Sequence, residues 1–275
     1  MKKNIKKYVS VFAIAAAAAG ILFAAETNAV IASEVKNVQV SEERSYDTDR
    51  LDIPAEAECL IVVEAEGLTA NVSTYEKEKT ENKAEGPGVP ANMDVKWKLE
   101  VSTDAGLIGR GGMGKIREGD EKTPAGLYKM NTPFGTASAQ EGFPENYLQV
   151  DGRYYWDGDS ASVRYNKLVN TDEYTAFDRS KSEHLSSYGG AAYHYCIDTG
   201  YNFEGMPNKG SALFLHCSAG KNTAGCIAIP ERSMTEIMKL YREGKTYILL
   251  DEKGNFEQYY KTEKETDPAE ENSLR

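Results

Sequence analysis

The stretch Gly210-Ser211-Ala212-Leu213-Phe214-Leu215-His216-Cys217-Ser218-Ala219-Gly220-Lys221-Asn222-Thr223-Ala224-Gly225-Cys226-Ile227-Ala228-Ile229-Pro230 decides how this chain is read. Ala212 to His216 is an apolar run of strand length that ends on a histidine. Small and polar residues fill positions 217–225, and Gly225-Cys226 opens a second apolar run that lasts to Ile229. Two adjacent strands, with His216 at the C-terminal end of one and Cys226 at the N-terminal end of the other, bring imidazole and thiol together. A free thiol has a pKa of about 8.5 and needs a base to act as a nucleophile at neutral pH. Small residues at Ala224 and Gly225 leave backbone N–H groups open to a developing oxyanion.

Outward from this stretch the chain is built mostly of strands. Met234, Ile237, Met238 and Tyr241 recur at helical spacing, with Pro230 opening the segment and Gly244 closing it, which predicts one helix. Thr246 to Leu250 is a strand after it. Upstream, Ala192 to Ile197 is a strand candidate that carries Tyr193, His194 and Tyr195. Cys59 to Glu64, Leu68 to Thr74 and the alternating Val95 to Val101 are further strands. Leu127 to Met130 follows a turn, and Tyr147 to Trp156 reads as a hairpin around Asp151-Gly152. Tyr75 to Asn92 is a charged loop, and the polar Asn166 to Tyr188 is expected to cover a cleft. Nine or ten strands and one helix predict a mainly β domain over residues 55–260, without internal repeats.

The 275 residues carry 43 acidic and 32 basic side chains, a net charge of −11. No positive footprint for nucleic acid is present, so nonspecific nucleic-acid binding is excluded. Lys2, Lys3, Lys6 and Lys7 precede an apolar stretch, Val9 to Ala25. Residues 1–29 therefore read as a secretory signal or a membrane anchor, and membrane contact is expected only through this segment. The rest is expected to be secreted or held in the cell envelope. Residues 30–54 read as a linker and 261–275 as a disordered acidic tail.

That location excludes ATP and nicotinamide chemistry. It also bears on Gly109-Arg110-Gly111-Gly112-Met113-Gly114-Lys115, which matches a phosphate-loop pattern until Ile116 stands where Ser or Thr is required. Glu118-Gly119-Asp120 continues it as a second turn, so a glycine-rich turn region is expected.

Three other readings of the cysteines stand beside catalysis. An exported protein with Cys59, Cys196, Cys217 and Cys226 can be disulfide-bonded. His194, Cys196, His216, Cys217 and Cys226 include possible zinc ligands, although His216 and Cys217 point to opposite faces of a strand. Cys226 can also be a buried small hydrophobe.

The segment around Cys226 resembles the active-site region of the YkuD-type L,D-transpeptidases, whose signature is a histidine followed, after a loop, by Ser/Thr-x-Gly-Cys. Thr223-Ala224-Gly225-Cys226 fills it. Glu118-Gly119-Asp120-Glu121-Lys122-Thr123-Pro124-Ala125-Gly126-Leu127-Tyr128 resembles the family's EGD-x-KTP-x-G-x-Y segment, and Gly109 to Gly114 its preceding glycine-rich turn. The commonest signature carries a second histidine directly before Gly-Cys, where this chain has Ala224, and its loop is longer. The chain fits a branch with T-A-G-C.

The resemblance implies a β-sandwich-like catalytic domain in which a short helix follows the nucleophile strand. It implies cell-wall biogenesis: Cys226 attacks a peptidoglycan tetrapeptide stem at its diaminopimelate or lysine residue, and D-alanine leaves. An amine resolves the thioester into a 3→3 cross-link, or water gives an L,D-carboxypeptidase outcome. His216 is the expected base. Backbone groups near Gly225 and Cys226 are the expected oxyanion donors, with Ala224 and Thr223 shaping the loop. Tyr193, Asn202 and Lys122 are weaker substrate-contact candidates. Carbapenem-type β-lactams are expected inhibitors, and no metal or organic cofactor is implied. A catalytically silent wall-binding module and a zinc-dependent hydrolase are the alternatives.

Overall fold

The computed structural model describes residues 44–78 and 95–262. The N-terminal apolar segment, residues 30–43 of the expected linker, most of the charged loop after Tyr75 and nearly all of the expected tail lie outside the described residues. Among the described residues, no helix is long and apolar enough to cross a membrane.

The domain is mainly β. Its strands are β1 (Cys59–Glu66), β2 (Thr69–Lys77), β3 (Trp97–Leu107), β4 (Gly126–Lys129), β5 (Pro133–Gly135), β6 (Leu148–Gln149), β7 (Tyr154–Trp156), β8 (Leu168–Asn170), β9 (Glu183–His184), β10 (Cys196–Asp198), β11 (Phe214–Cys217), β12 (Ile227–Ile229) and β13 (Thr246–Glu252). Ten of them form one sheet in the order β4-β13-β1-β2-β3-β12-β11-β10-β5-β6, and three form a small sheet, β8-β7-β9. The helices are the single turn α1 (Leu185–Tyr188) and α2 (Glu231–Leu240).

β1 explains how the large sheet is held. It pairs in parallel with β13, Ile61 opposite Ile248, and antiparallel with β2, Ile61 opposite Thr74. Both of its faces are covered. Ile61, Val63 and Ala65 join one core with Ile227, Ile229 and the α2 residues Met234, Ile237 and Met238. Leu60 and Val62 join a second core with Leu249 and Phe256. A strand covered on both sides is apolar along its whole length rather than alternating, which is why Cys59-Leu60-Ile61-Val62-Val63 reads as a solid run.

Several sequence expectations change here. The packed body begins at Ser45 rather than residue 55. Tyr46 and Leu51 are buried, Tyr46 shares a hydroxyl contact with Tyr75, and Leu51 bridges to Tyr260. The hairpin over Tyr147 to Trp156 does not form. β6 pairs in parallel with β5, whereas β7 pairs with β8 and β9 in the other sheet. Asp151 accepts the Arg153 N–H and binds its guanidinium, which ends the pairing between them with a local turn. The strand placed at Ala192 starts only at Cys196, because Gly190–Tyr193 is a 3-10 turn. The Tyr193 ring lies against Gly189, where a Cβ would stand 2.1 Å from Tyr193 Cγ. Tyr193, His194 and Tyr195 are therefore not strand residues. The described residues hold thirteen strands rather than nine or ten, the additional ones being two or three residues long.

Candidate active site

β11 and β12 lie side by side and parallel, with His216 opposite Ala228. Alternation along β11 sends Phe214 and His216 to one face and Leu215 and Cys217 to the other. Leu215 and Cys217 belong to the core around α2, while Phe214 and Cys226 belong to a separate core with Phe134, Trp156 and Tyr193. Cys226 immediately precedes β12, on the Phe214 side. Its sulfur accepts the Phe214 N–H at 3.4 Å, and its S–H donates to the Ala212 carbonyl at 3.2 Å. Cys226 and His216 both line a cavity of about 720 Å³.

The turn that presents Cys226 is built from the T-A-G-C residues themselves. Thr223 Oγ1 donates to the Cys226 carbonyl at 2.6 Å and accepts the Gly225 N–H at 3.0 Å. The Thr223 backbone is tied to Ile108 and Arg110. Gly225 has φ +143°, and a Cβ there would stand 2.8 Å from the Lys122 carbonyl and 3.0 Å from Leu213 Cδ1. Only glycine fits both constraints. Ala224 is exposed at the cavity wall. The expected oxyanion donors need one correction: the Gly225 N–H is already spent on Thr223.

Burial sets the resting charges. It pushes the Cys226 thiol up to about 12; Glu183 adds to the rise, while the Phe214 N–H and the Lys115 ammonium oppose it. Burial also pulls His216 below its ordinary 6.5, against the bond to the Cys217 carbonyl. Thiol and imidazole are therefore both neutral at neutral pH. His216 Nδ1 contacts the Cys217 carbonyl at 2.8 Å, so Nδ1 carries the proton and Nε2 keeps its lone pair. A neutral imidazole with Nε2 available is the form that accepts a proton.

The glycine-rich turn and the EGD-x-KTP segment support this turn from below. Lys115 is buried against Asp120 at 2.9 Å. Burial alone would raise Asp120, but Lys115 and the N–H groups of Ile116, Arg117 and Lys122 outweigh it and hold the carboxyl well below its usual range. No helix follows Lys115, in agreement with a turn rather than a phosphate loop.

The other candidates separate clearly. Tyr193 lines the cavity; its hydroxyl donates to Glu183 at 2.7 Å and its ring stands edge-on to His216 at 5.4 Å. Asn202 is spent on its own loop, bonded to Met206 and Gly210, and does not line the cavity. Lys122 is likewise absent from the lining; its side chain packs on Gly111. His194 pairs with Glu231 at 3.0 Å on the surface. His184 stacks on Tyr155. Of the three histidines, His216 alone borders the cavity. All four cysteines are free thiols, which overturns the disulfide reading. Among the described residues no cluster of three metal-ligating side chains exists.

Sequence reasoning missed Glu183, Asn166 and Lys115. Asn166 Oδ1 accepts both the Trp156 indole N–H and the Ala212 N–H, which joins the small sheet to the carbonyl facing Cys226. Ala212 itself has φ +54°, an uncommon backbone for alanine, held by this bond at the site. Asn166 and Glu183 come from the polar 166–188 region, whose composition gave no sign of which residue turned inward.

No protein-family model and no curated protein matches the chain. Among solved structures it is similar to the helical cell shape determining protein Pgp2 of Campylobacter jejuni, at 14% identity and a TM-score of 0.41 over 77% of this chain and 54% of that one. A point mutant of Pgp2 gives 16%, 0.40, 75% and 51%. Bd1075 of Bdellovibrio bacteriovorus gives 15%, 0.33, 73% and 50%. The chain spans about half the length of each. A likeness this slight carries no argument about the site.

Proposed function

We propose that this chain is a cysteine-dependent acyltransferase of the L,D-transpeptidase kind, acting on peptidoglycan stem peptides in the cell envelope. One observation carries the reading. A thiol and an imidazole with a free Nε2 border the same cavity, at the turn formed by Thr223-Ala224-Gly225.

Cys226 Sγ attacks the carbonyl carbon of the stem's third residue while His216 Nε2 takes the thiol proton. The carbonyl electrons move onto oxygen, for which the Cys226 N–H is the proposed donor. The C–N bond to the terminal D-alanine breaks, and the imidazolium returns the proton to the departing amine. A thioester remains on Cys226. An amine of a second stem attacks it, the C–S bond breaks, and the amine's proton returns to sulfur through His216. Water in place of the amine gives a trimmed tripeptide. The two neutral groups need no charge at rest, because the proton moves as the sulfur attacks.

The test is incubation with a purified tetrapeptide muropeptide. Release of D-alanine with a thioester mapped to Cys226 supports the proposal. Dimeric products assign transpeptidation, and tripeptides assign carboxypeptidation. Intact substrate with an unmodified thiol overturns the proposal.

A further inference from the structure

We infer that Glu183 is the docking point for a primary amine on the substrate, held in the same cavity in which the substrate's carbonyl meets Cys226; this rests on the acyl-transfer reading. Glu183 stands on β9 and its side chain borders the cavity. One oxygen, Oε2, accepts the Tyr193 hydroxyl at 2.7 Å. Among the described residues no donor reaches Oε1.

Of the four lysines and arginines that share the lining, three are engaged elsewhere and the fourth, Lys221, is exposed on the loop after β11. Lys115 is paired with Asp120, Arg110 with Glu121, and Lys181 with Asp159. None of them offsets the charge on Glu183, whose pKa burial raises to about 7, with Tyr193 opposing and Glu118 adding to the rise. The other lining carboxylates differ. Glu121 is held by Arg110, and Glu118 is exposed and accepts the Tyr165 and Ser211 hydroxyls.

A partly buried carboxylate with one oxygen open to the cavity and no counter-ion beside it is poorly compensated. A ligand ammonium supplies both the missing donors and the missing charge, and it restores the ionised form. Stem peptides with a diamino third residue carry such an amine on the residue whose carbonyl must reach Cys226. Tyr193 fixes the carboxylate and also borders His216, so the amine and the carbonyl are registered against one another by a single aromatic ring.

The experiment measures binding, so it does not depend on turnover. A Cys226→Ala variant is titrated by calorimetry with two tetrapeptides that differ only in acetylation of the third residue's side-chain amine. The free amine is expected to bind about ten- to a hundredfold more tightly, as for one charge-assisted hydrogen bond. Adding Glu183→Gln is expected to remove most of that ratio. Equal affinity of the two peptides for Cys226→Ala overturns the inference even if Glu183→Gln does not fold. A ratio that survives Glu183→Gln in a folded protein also overturns it. Thioester formation by the unmodified chain is decided separately, so loss of one conclusion is distinguishable from loss of the other.

Discussion

Thr123 Oγ1 donates to the Gly225 carbonyl at 2.8 Å across 102 residues of sequence, and the same oxygen accepts the Gly109 N–H at 2.9 Å. One fully buried hydroxyl thus pins the glycine-rich turn, the EGD-x-KTP segment and the nucleophile turn together. Thr123→Val keeps the shape and removes both bonds. It is expected to cost about 1–3 kcal/mol. A thermal melt reads this as a fall of several degrees for a domain of this size, accompanied by slower acylation of Cys226. A variant with unchanged stability and unchanged acylation contradicts this role.

The resting pair is neutral, and this has a kinetic signature. With the thiol raised to about 12, alkylation of Cys226 by iodoacetamide, followed by peptide mass, should rise by about tenfold per pH unit from pH 7 to 10. A plateau below pH 8 would show a preformed thiolate–imidazolium pair instead. His216→Gln should slow acylation by substrate about 10²–10⁴-fold, the usual worth of a positioned base.

How much of this was legible in the sequence depends on distance along the chain. His216 and Cys226 sit on short apolar runs joined by a loop, so the sequence brings them onto neighbouring strands, while the parallel register that sets Cys226 on the His216 side emerges only in the fold. The helix after Pro230 was equally plain from Met234, Ile237 and Met238. What failed were contacts made across the fold. Asp151-Gly152 carries a hairpin signal, but the strands on either side of it find partners in different sheets. Tyr193 alternates with Tyr195 like a strand residue, yet the close packing of its ring on Gly189 imposes a turn. Glu183 is one acidic residue in a polar stretch, and only the small sheet turns it toward the cavity.

Lys115 and Asp120 form a buried ion pair whose side chains are 2% and 7% exposed. Removing one partner strands the other, so Asp120→Asn is expected to cost about 3–5 kcal/mol. Because the folded state holds Asp120 below its ordinary range, the pair's contribution is full above the unfolded aspartate pKa and is lost as pH falls through the folded one. Denaturant titrations of wild type and Asp120→Asn should therefore converge in strongly acidic solution. A constant gap at every pH contradicts it.

Glu183 has the opposite sign. Its folded pKa, about 7, lies above the ordinary glutamate value of 4.5, so ionisation works against folding as pH rises through that interval. Glu183→Gln should gain stability relative to wild type from pH 4.5 to 7 and level off above it, the pattern of a group kept for function at a cost in stability. Melting curves at pH 4.5 and 8 measure the difference. A relative stability that does not change with pH contradicts the assignment of the charge.

The central claim is that Cys226 is an acylating nucleophile, and intact-protein mass spectrometry after incubation with a carbapenem tests it most directly. The expected result is a single covalent adduct that peptide mapping places on Cys226, that is absent in Cys226→Ala and that forms more slowly in His216→Gln. A folded protein whose Cys226 thiol stays free while the carbapenem remains intact would contradict it.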